Sequence, residues 1–348
     1  MSKYTQDTYN KLNDLLMLDK KTISEEISLE FCNHLLRTGL YQNSNKFAGF
    51  YNGWRNVYKM AQLKGKVVLD VGSGFGMPGI ILASLGLEKL YGIDIQEAGI
   101  LSCQKLLKKL PNLNNLQFEL GDGMRIKYPD SFFEAVVAND VFSHVLNLDL
   151  FLDEIKRVLK PGGAFYVYES NNTFHLPHRL LMRKYWKIVE QGPVDPKLNL
   201  PKPFRQIRKE MIQQRFPDLG EKTWEYLSRQ TQGMWGEEIF QAVGEYLSKG
   251  KITKKRDFMY VDPRQGALAE YEFNPFRLKQ RIKKHGFRAR LIPPFACHTY
   301  PYLVRPLNKQ SIIQIVKVFA KRIIRFFYPF SFLATPLFEI LARKEHNR

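Results

Sequence analysis

Apolar positions recur at helical spacing along residues 1–64, as at Ile27, Phe31, Leu35 and Leu36, and predict a helical segment. Its aromatic-rich end, FAGFYNGWRNVYKMAQL, leads into the first strong strand pattern. From Lys66 to Ser170 short apolar runs alternate with amphipathic stretches. VVLDV (67–71), LYGID (90–94), LQFEL (116–120), EAVVA (134–138) and AFYVYE (164–169) predict strands, and 77–85, 97–109 and 148–159 predict helices. The last helix ends in LKPGG, a helix stop followed by a tight turn. Repeated β-α units of this length imply an α/β fold with a parallel, doubly wound sheet. After Ser170 no clear strand is visible up to residue 257; helices are expected near 204–216, 220–232 and 236–249. FMYVD (258–262), a helix over 275–285 and FRARLI (287–292) then predict a return to the sheet. The expected organisation is a helical N-terminal segment or lid (1–64), an α/β core (65–170), a helical cap inserted after the fifth strand (171–257), the return to the core (258–304) and a basic tail (305–348).

The tail has its own pattern. If Ser311–Phe327 is helical, Gln314, Lys317, Lys321, Arg322 and Arg325 share one face and the apolar residues cover the other, with Val318 alone breaking the polar arc. It continues into FFYPFSFLATPLF, thirteen uncharged residues with Pro329 and Pro336, too short and too Pro-broken to span a bilayer. A cationic amphipathic helix of this kind suits an anionic membrane surface. Packing against the domain or dimerisation would use the same apolar face.

Composition sharpens this picture. The chain has 348 residues, 44% hydrophobic, with 25 Phe and 17 Tyr, which excludes a disordered tail-type protein and allows two domains or one enlarged one. The formal charge of +19 is unevenly placed. Residues 1–170 hold 19 basic and 19 acidic residues; 171–267 hold 18 and 11, and 268–348 hold 16 and 4. A neutral front and a cationic back invite nucleic acid, an anionic membrane or an acidic substrate as partner. Cys32, Cys103 and Cys297 form no CxxC and no zinc-type cluster, so a reduced, cytoplasmic setting without a metal site is expected. The polar N-terminus lacks the apolar stretch of a signal peptide.

The first strand ends in VVLDVGSGFG, where Asp70, Gly72, Gly74 and Gly76 form a D-x-G-x-G-x-G turn with Ser73 inside it. Glycines at a strand-to-helix turn let a ligand lie against the main chain. The dinucleotide fingerprint G-x-G-x-x-G fails, because its third glycine would fall on Met77. No G-K-[ST] follows, so the turn is not a Walker loop either. Asp94 ends the next strand, where a carboxylate can accept bonds from both hydroxyls of a ribose.

Over about residues 45–170, and again near 258–292, the chain resembles the class I S-adenosylmethionine-dependent methyltransferases, of the small-molecule type that includes quinone-biosynthesis enzymes. The resemblance rests on VLDVGSGFG, GIDI, GDGM, ANDVFSHV and LKPGG, in that family's order and spacing. It implies a Rossmann-like sheet and S-adenosylmethionine as cofactor. The glycine loop would hold the methionine part. Asp94 would hold the ribose, and Ile95 would lie against the adenine. Asp122 would meet the exocyclic amine, with Gly123 and Met124 beside it. Asn139, Asp140 and the residues after them would border the methyl group.

Methyl transfer is an in-line displacement, so alignment is the protein's main task. A hydroxyl or acidic carbon acceptor also needs a base. The candidates are His144, after the fourth strand, then His175 and His178 past the fifth. Each has a structural alternative, His144 as packing at a helix start and the other two as residues flanking Pro177 in an irregular stretch. Tyr51 and Trp54 are candidates for a lid or for core packing. Trp186, Trp224 and Trp235 would line an acceptor pocket or form the cap's core, and YVDP with Arg264 is a weaker candidate for a pocket edge.

The fourth-strand segment reads Asn139-Asp140-Val141-Phe142, without the prolines of base-amine methyltransferases, and no cysteine follows a proline. Nucleic acid is therefore the less favoured partner. The expected function is methyl transfer to oxygen or carbon of a small-molecule or lipid-linked acceptor, cytoplasmic and peripheral at the inner face of a membrane through 311–341. An RNA methyltransferase using the basic half, and a non-catalytic cofactor-binding protein at a membrane surface, are the alternatives.

Overall fold

The computed structural model describes residues 3–110, 112–193, 202–253, 260–264, 266, 270–293 and 330–346. They fall into two compact units. An α/β unit comprises Met1–Val141, Asn147–Glu169 and Phe276–Arg348; a helical unit comprises Phe142–Leu146 and Ser170–Pro275.

The α/β unit is a seven-stranded sheet of order β3-β2-β1-β4-β5-β7-β6. Strands β1 (Val67–Val71), β2 (Lys89–Asp94), β3 (Leu116–Leu120), β4 (Phe133–Asn139) and β5 (Leu159–Glu169) are parallel. The strand order turns back at β1, whose neighbours are β2 and β4, so the carboxyl edge there is where a doubly wound sheet binds ligands. The expected doubly wound, Rossmann-like α/β fold is the observed one. Its crossover helices are α5 (Met77–Ser84), α6 (Glu97–Lys108) and α7 (Leu148–Val158), within a residue of the sequence boundaries.

Strands β6 (Phe287–Ile292) and β7 (Phe338–Lys344) complete the sheet, and β7 lies antiparallel between β5 and β6. The sequence reading placed 338–344 in the tail. Six of the strand's seven residues are buried, on both faces of the sheet, so it lacks the polar alternation that marks a half-exposed strand. Two of its charged residues are buried with partners: the Tyr166 hydroxyl donates to Glu339 Oε2 at 2.9 Å, and Lys344 Nζ donates to the Leu159 carbonyl at 2.6 Å. The amphipathic segment 311–327 lies outside the described residues, as does Cys297. LKPGG is a second difference. It opens β5, with a register shift against β4 between Phe133 and Ala135, rather than forming a separate turn before the strand.

Residues 3–60 form α1 (Lys3–Met17), α2 (Lys20–Glu26), α3 (Leu29–Thr38) and α4 (Ser44–Met60). Asp19, Ser28 and Asn43 cap the last three through side-chain oxygens. Their apolar faces share one core with the sheet, from Leu12, Ile23 and Phe31 to Val68, Ile80 and Val137. Tyr51 and Trp54 are buried in that core, Trp54 edge-on to Tyr166 at 6.1 Å, and neither serves as a lid.

The helical unit contains α8 (Leu176–Gln191), α9 (Phe204–Arg215), α10 (Glu221–Gln230) and α11 (Glu237–Lys249). The sequence reading left 176–191 without a helix and placed Pro177 in an irregular stretch. The proline sits in the first turn, where its missing N–H would have no partner in any case, and His175 Nδ1 caps the helix by accepting from the His178 N–H at 3.2 Å. Arg208, fully buried, donates to Glu190 and to the Ser228 carbonyl and ties three helices together. Trp186 is core, and Trp224 is half-buried with Nε1 bonded to the Phe216 carbonyl at 2.9 Å. FMYVD (258–262) was expected to rejoin the sheet; residues 258 and 259 lie outside the described residues. Instead Tyr260 bridges Glu270 inside this unit, and the chain re-enters the α/β unit at α12 (Pro275–Lys284).

Candidate active site

The glycine loop follows β1 at the strand-order reversal. Val71 pairs with Ile93, and the N–H groups of Gly72 and Ser73 both donate to the Ile93 carbonyl, at 2.8 and 3.0 Å. The loop is thus stitched to β2 before it turns. Gly74 has φ +52°, and a Cβ built on it meets nothing within 4 Å, so its open side is available to a ligand. Gly76 has φ +74°, and a side chain there would strike the Phe118 ring at 2.6 Å and Cys103 Sγ at 2.8 Å. The outer side of the loop is held by Phe75, whose ring lies 5.9 Å from that of Phe31 and 4.9 Å from that of His34. Burial, with a smaller contribution from Arg37, pulls the His34 imidazole down to about 4. The Cys103 thiol supports the inner side, donating to the Gly74 carbonyl at 3.3 Å, and burial pushes its pKa up.

Asp94 ends β2. Its Oδ2 accepts from the Gly74 N–H and its Oδ1 from the Gln96 N–H, both at 2.8 Å. Each oxygen keeps a second lone pair, so the carboxylate is fixed in direction while retaining acceptor capacity for two hydroxyls. Ile95, the next residue, is 70% exposed, and Leu120, paired with Asp94 across β2 and β3, is 53% exposed. They make an apolar ledge at the sheet edge beside a hydrogen-bonding carboxylate. The sequence reading found Ile95 but not Leu120, which ends the predicted 116–120 strand in phase with the buried Leu116 and Phe118 and therefore read as core.

Asp122 opens a tight turn. Its Oδ1 accepts from the Met124 N–H at 2.8 Å and its carbonyl accepts from the Arg125 N–H at 3.0 Å. Gly123 and Met124 are half-buried in that turn and Asp122 is exposed. Asn139 ends β4. Asp140, at φ +57°, donates its N–H to the Tyr168 carbonyl at 2.7 Å. All twelve residues predicted from the loop, GIDI, GDGM and ANDV thus belong to the α/β unit.

Asp70 is the least ordinary of them. It is fully buried, and neither carboxylate oxygen meets a hydrogen-bond partner among the described residues. Burial, reinforced by the Asp94 charge, pushes its pKa up to about 8. Ser73 Oγ is likewise buried without a partner among the described residues. Polar groups buried unsatisfied beside an open glycine loop fit a polar, cationic ligand segment. With the fixed Asp94 acceptor and the apolar ledge, the donor and acceptor set fits S-adenosylmethionine.

The three histidines lie in the helical unit. His144 ends a short 3-10 turn (Phe142–His144) five residues beyond β4 and is exposed. Its Nδ1 stands 3.7 Å from Glu270 Oε2, and Glu270 is almost buried. Asn171 Nδ2 donates to Glu270 Oε1, and Asn171 Oδ1 lies 3.4 Å from His178 Nε2. His144 and His178 are thereby joined through Glu270 and Asn171, whereas His175 serves as the cap of α8. Asn171 and Glu270 escaped the sequence reading because 99 residues separate them.

Comparisons with known proteins agree with this geometry. Residues 62–214 match the family described as Methyltransferase domain. The sterol 24-C-methyltransferase of Aspergillus fumigatus is 30% identical over 165 residues, 47% of this chain and 41% of the relative. The fatty-acid O-methyltransferase of Mycolicibacterium smegmatis is 35% identical, covering 34% of this chain and 42% of the relative. The mitochondrial ubiquinone biosynthesis O-methyltransferase of Dictyostelium discoideum is 34% identical, covering 32% and 37%. A solved S-adenosylmethionine-dependent methyltransferase from Aquifex aeolicus is 29% identical over 34% of this chain and 64% of its own, with a TM-score of 0.32. The chain spans less than half the length of the three curated relatives. Loop, ledge and family match together give residues 62–214 as a methyltransferase domain of class I, with S-adenosylmethionine as its cofactor.

Proposed function

We propose that the protein transfers a methyl group from S-adenosylmethionine to oxygen or carbon of a lipid or lipid-linked acceptor. The single observation that carries the cofactor half is the fixed Asp94 carboxylate facing the open Gly74 loop with Ile95 exposed beside it. Support for a lipid acceptor comes from the sterol, fatty-acid and ubiquinone-biosynthesis enzymes among the relatives.

S-adenosylmethionine supplies a methyl already activated on a sulfonium. The chain has to bind, orient and accept a proton. The glycine loop, with Asp70 buried behind it, would hold the methionine portion, Asp94 the ribose, and Ile95, Leu120, Asp122 and Met124 the adenine. His144 is our candidate base, with Glu270 positioning its ring. His178 is joined to the same network, and His175 has a capping role instead. Incubation with S-adenosylmethionine labelled at the methyl carbon and fractionated extract tests the reading. Label in a lipid fraction supports it; label in RNA favours the runner-up, for which the basic second half is the motive.

Membrane contact through 311–341 and a peripheral, cytoplasmic location extend the proposal. Most of that segment lies outside the described residues, but 338–341 belong to β7. Truncation near Leu307 would remove that strand, so charge reversal at Lys321, Arg322 and Arg325 in the full chain is the appropriate test. Unchanged binding to anionic vesicles would count against the tail's role.

A further inference from the structure

Helix α8 carries an outward face of exposed residues among those described. At roughly 100° per residue, Leu176, Lys187, Leu180, Lys184, Leu181 and Tyr185 fall within about half the circumference. Leu176, Leu180 and Leu181 are 58–65% exposed, and both lysines are exposed. The opposite face holds Trp186 and Val189, buried against Phe204, Ile207 and Tyr260. Glu190, the helix's acidic residue, is turned inward to Arg208. The outward face therefore combines leucines and cations with no acid among them.

Three leucines exposed on four turns of one helix exceed the scattered apolar residues of an ordinary surface. We propose that this face of α8 docks on an anionic lipid bilayer, with the leucines entering the headgroup–acyl boundary. Lys184 and Lys187 stand among those leucines, so their aliphatic stems can follow the apolar surface while the ammonium groups reach lipid phosphates. Charge complementarity selects this occupant. A second copy docked face to face would bring the same lysines together without an acidic partner, which opposes self-association. The surface belongs to the helical unit and is independent of the tail, of the cofactor residues and of the acceptor's identity.

The test uses the full chain and sedimentation with phosphatidylcholine vesicles, with and without phosphatidylglycerol. The variants are Leu180→Ser/Leu181→Ser and Lys184→Glu/Lys187→Glu. Each pair is expected to weaken binding to the anionic vesicles at least tenfold, and the charge reversal to reduce the preference for phosphatidylglycerol. S-adenosylmethionine affinity should stay at the wild-type value, which separates loss of a surface from loss of fold. Wild-type affinity for vesicles in both variants would overturn the proposal. So would a change of oligomeric state in both with no change in vesicle binding. The same variants combined with the charge-reversed tail show whether α8 acts by itself: a further drop is expected, and none would assign all binding to the tail.

Discussion

Replacing Asp70 by Asn tests whether the glycine loop holds a protonated carboxyl at neutral pH. An ordinary Asp titrates near 3.8; burial and the neighbouring Asp94 raise Asp70 to about 8. The folded protein therefore binds one more proton than the unfolded chain between roughly pH 4 and pH 8. Stability from this group is fully present below about pH 4 and falls as pH rises through that window, by about 1.4 kcal/mol per pH unit. Over the four units the loss is on the order of 5 kcal/mol. Asp70→Asn carries no such proton. Its amide leaves donors and acceptors unpaired in the same place, which costs about 1–3 kcal/mol independently of pH. The informative quantity is thus the slope of the difference, not its value at one pH. Urea unfolding at several values between pH 5 and 8 supplies it, with hydrogen exchange at the β1 amides used to follow the α/β unit. The variant should gain on the wild type by about 1.4 kcal/mol per pH unit. Parallel curves would refute the reasoning and mean that Asp70 is ionised at low cost.

The same carboxyl predicts proton release on cofactor binding, since a cationic ligand lowers the pKa of a neighbouring acid. Calorimetry at pH 7 in buffers of different ionisation enthalpy should show close to one proton released by the wild type and none by Asp70→Asn; equal release would contradict the assignment. Asp94→Ala should weaken cofactor binding at least tenfold, because it removes a charged acceptor and frees the Gly74 N–H; unchanged calorimetric affinity would sink the ribose role. His34 has its imidazole depressed to about 4, so its contribution is present above about pH 6.5 and lost as pH falls towards 4. His34→Leu should flatten that acid limb in unfolding experiments, and an unaltered limb would refute the burial argument. His144→Ala should lower kcat about a hundredfold, with partial rescue by added imidazole; wild-type kcat, or loss without rescue, would remove it as the base.

The parallel core was legible because each of its strands is a short apolar run closed by a chemically informative turn. VLDVGSGFG, GIDI and GDGM each end at one sheet edge, so local motifs reported a shared site. What the sequence hid was non-local. The strand at 338–344 pairs with residues at 159–169 and 287–292, and its burial on both faces erased the alternation that would have marked it. Glu270 and Asn171 meet across 99 positions, so no spacing rule links them. Helix α8 reads in the sequence as an irregular stretch around Pro177, a residue that is tolerated in a first turn. The loop supports Cys103, Phe31 and His34 were visible only as apolar or polar positions on α6 and α3, because their role is set by which neighbour the fold brings to them.

The most direct test of the account is transfer of a labelled methyl group from S-adenosylmethionine into a total lipid extract by the full-length protein, compared with its Asp94→Ala variant. The account predicts label in the lipid fraction that depends on Asp94. Label in RNA and not in lipid, or cofactor binding with no transfer to any fraction, would contradict it.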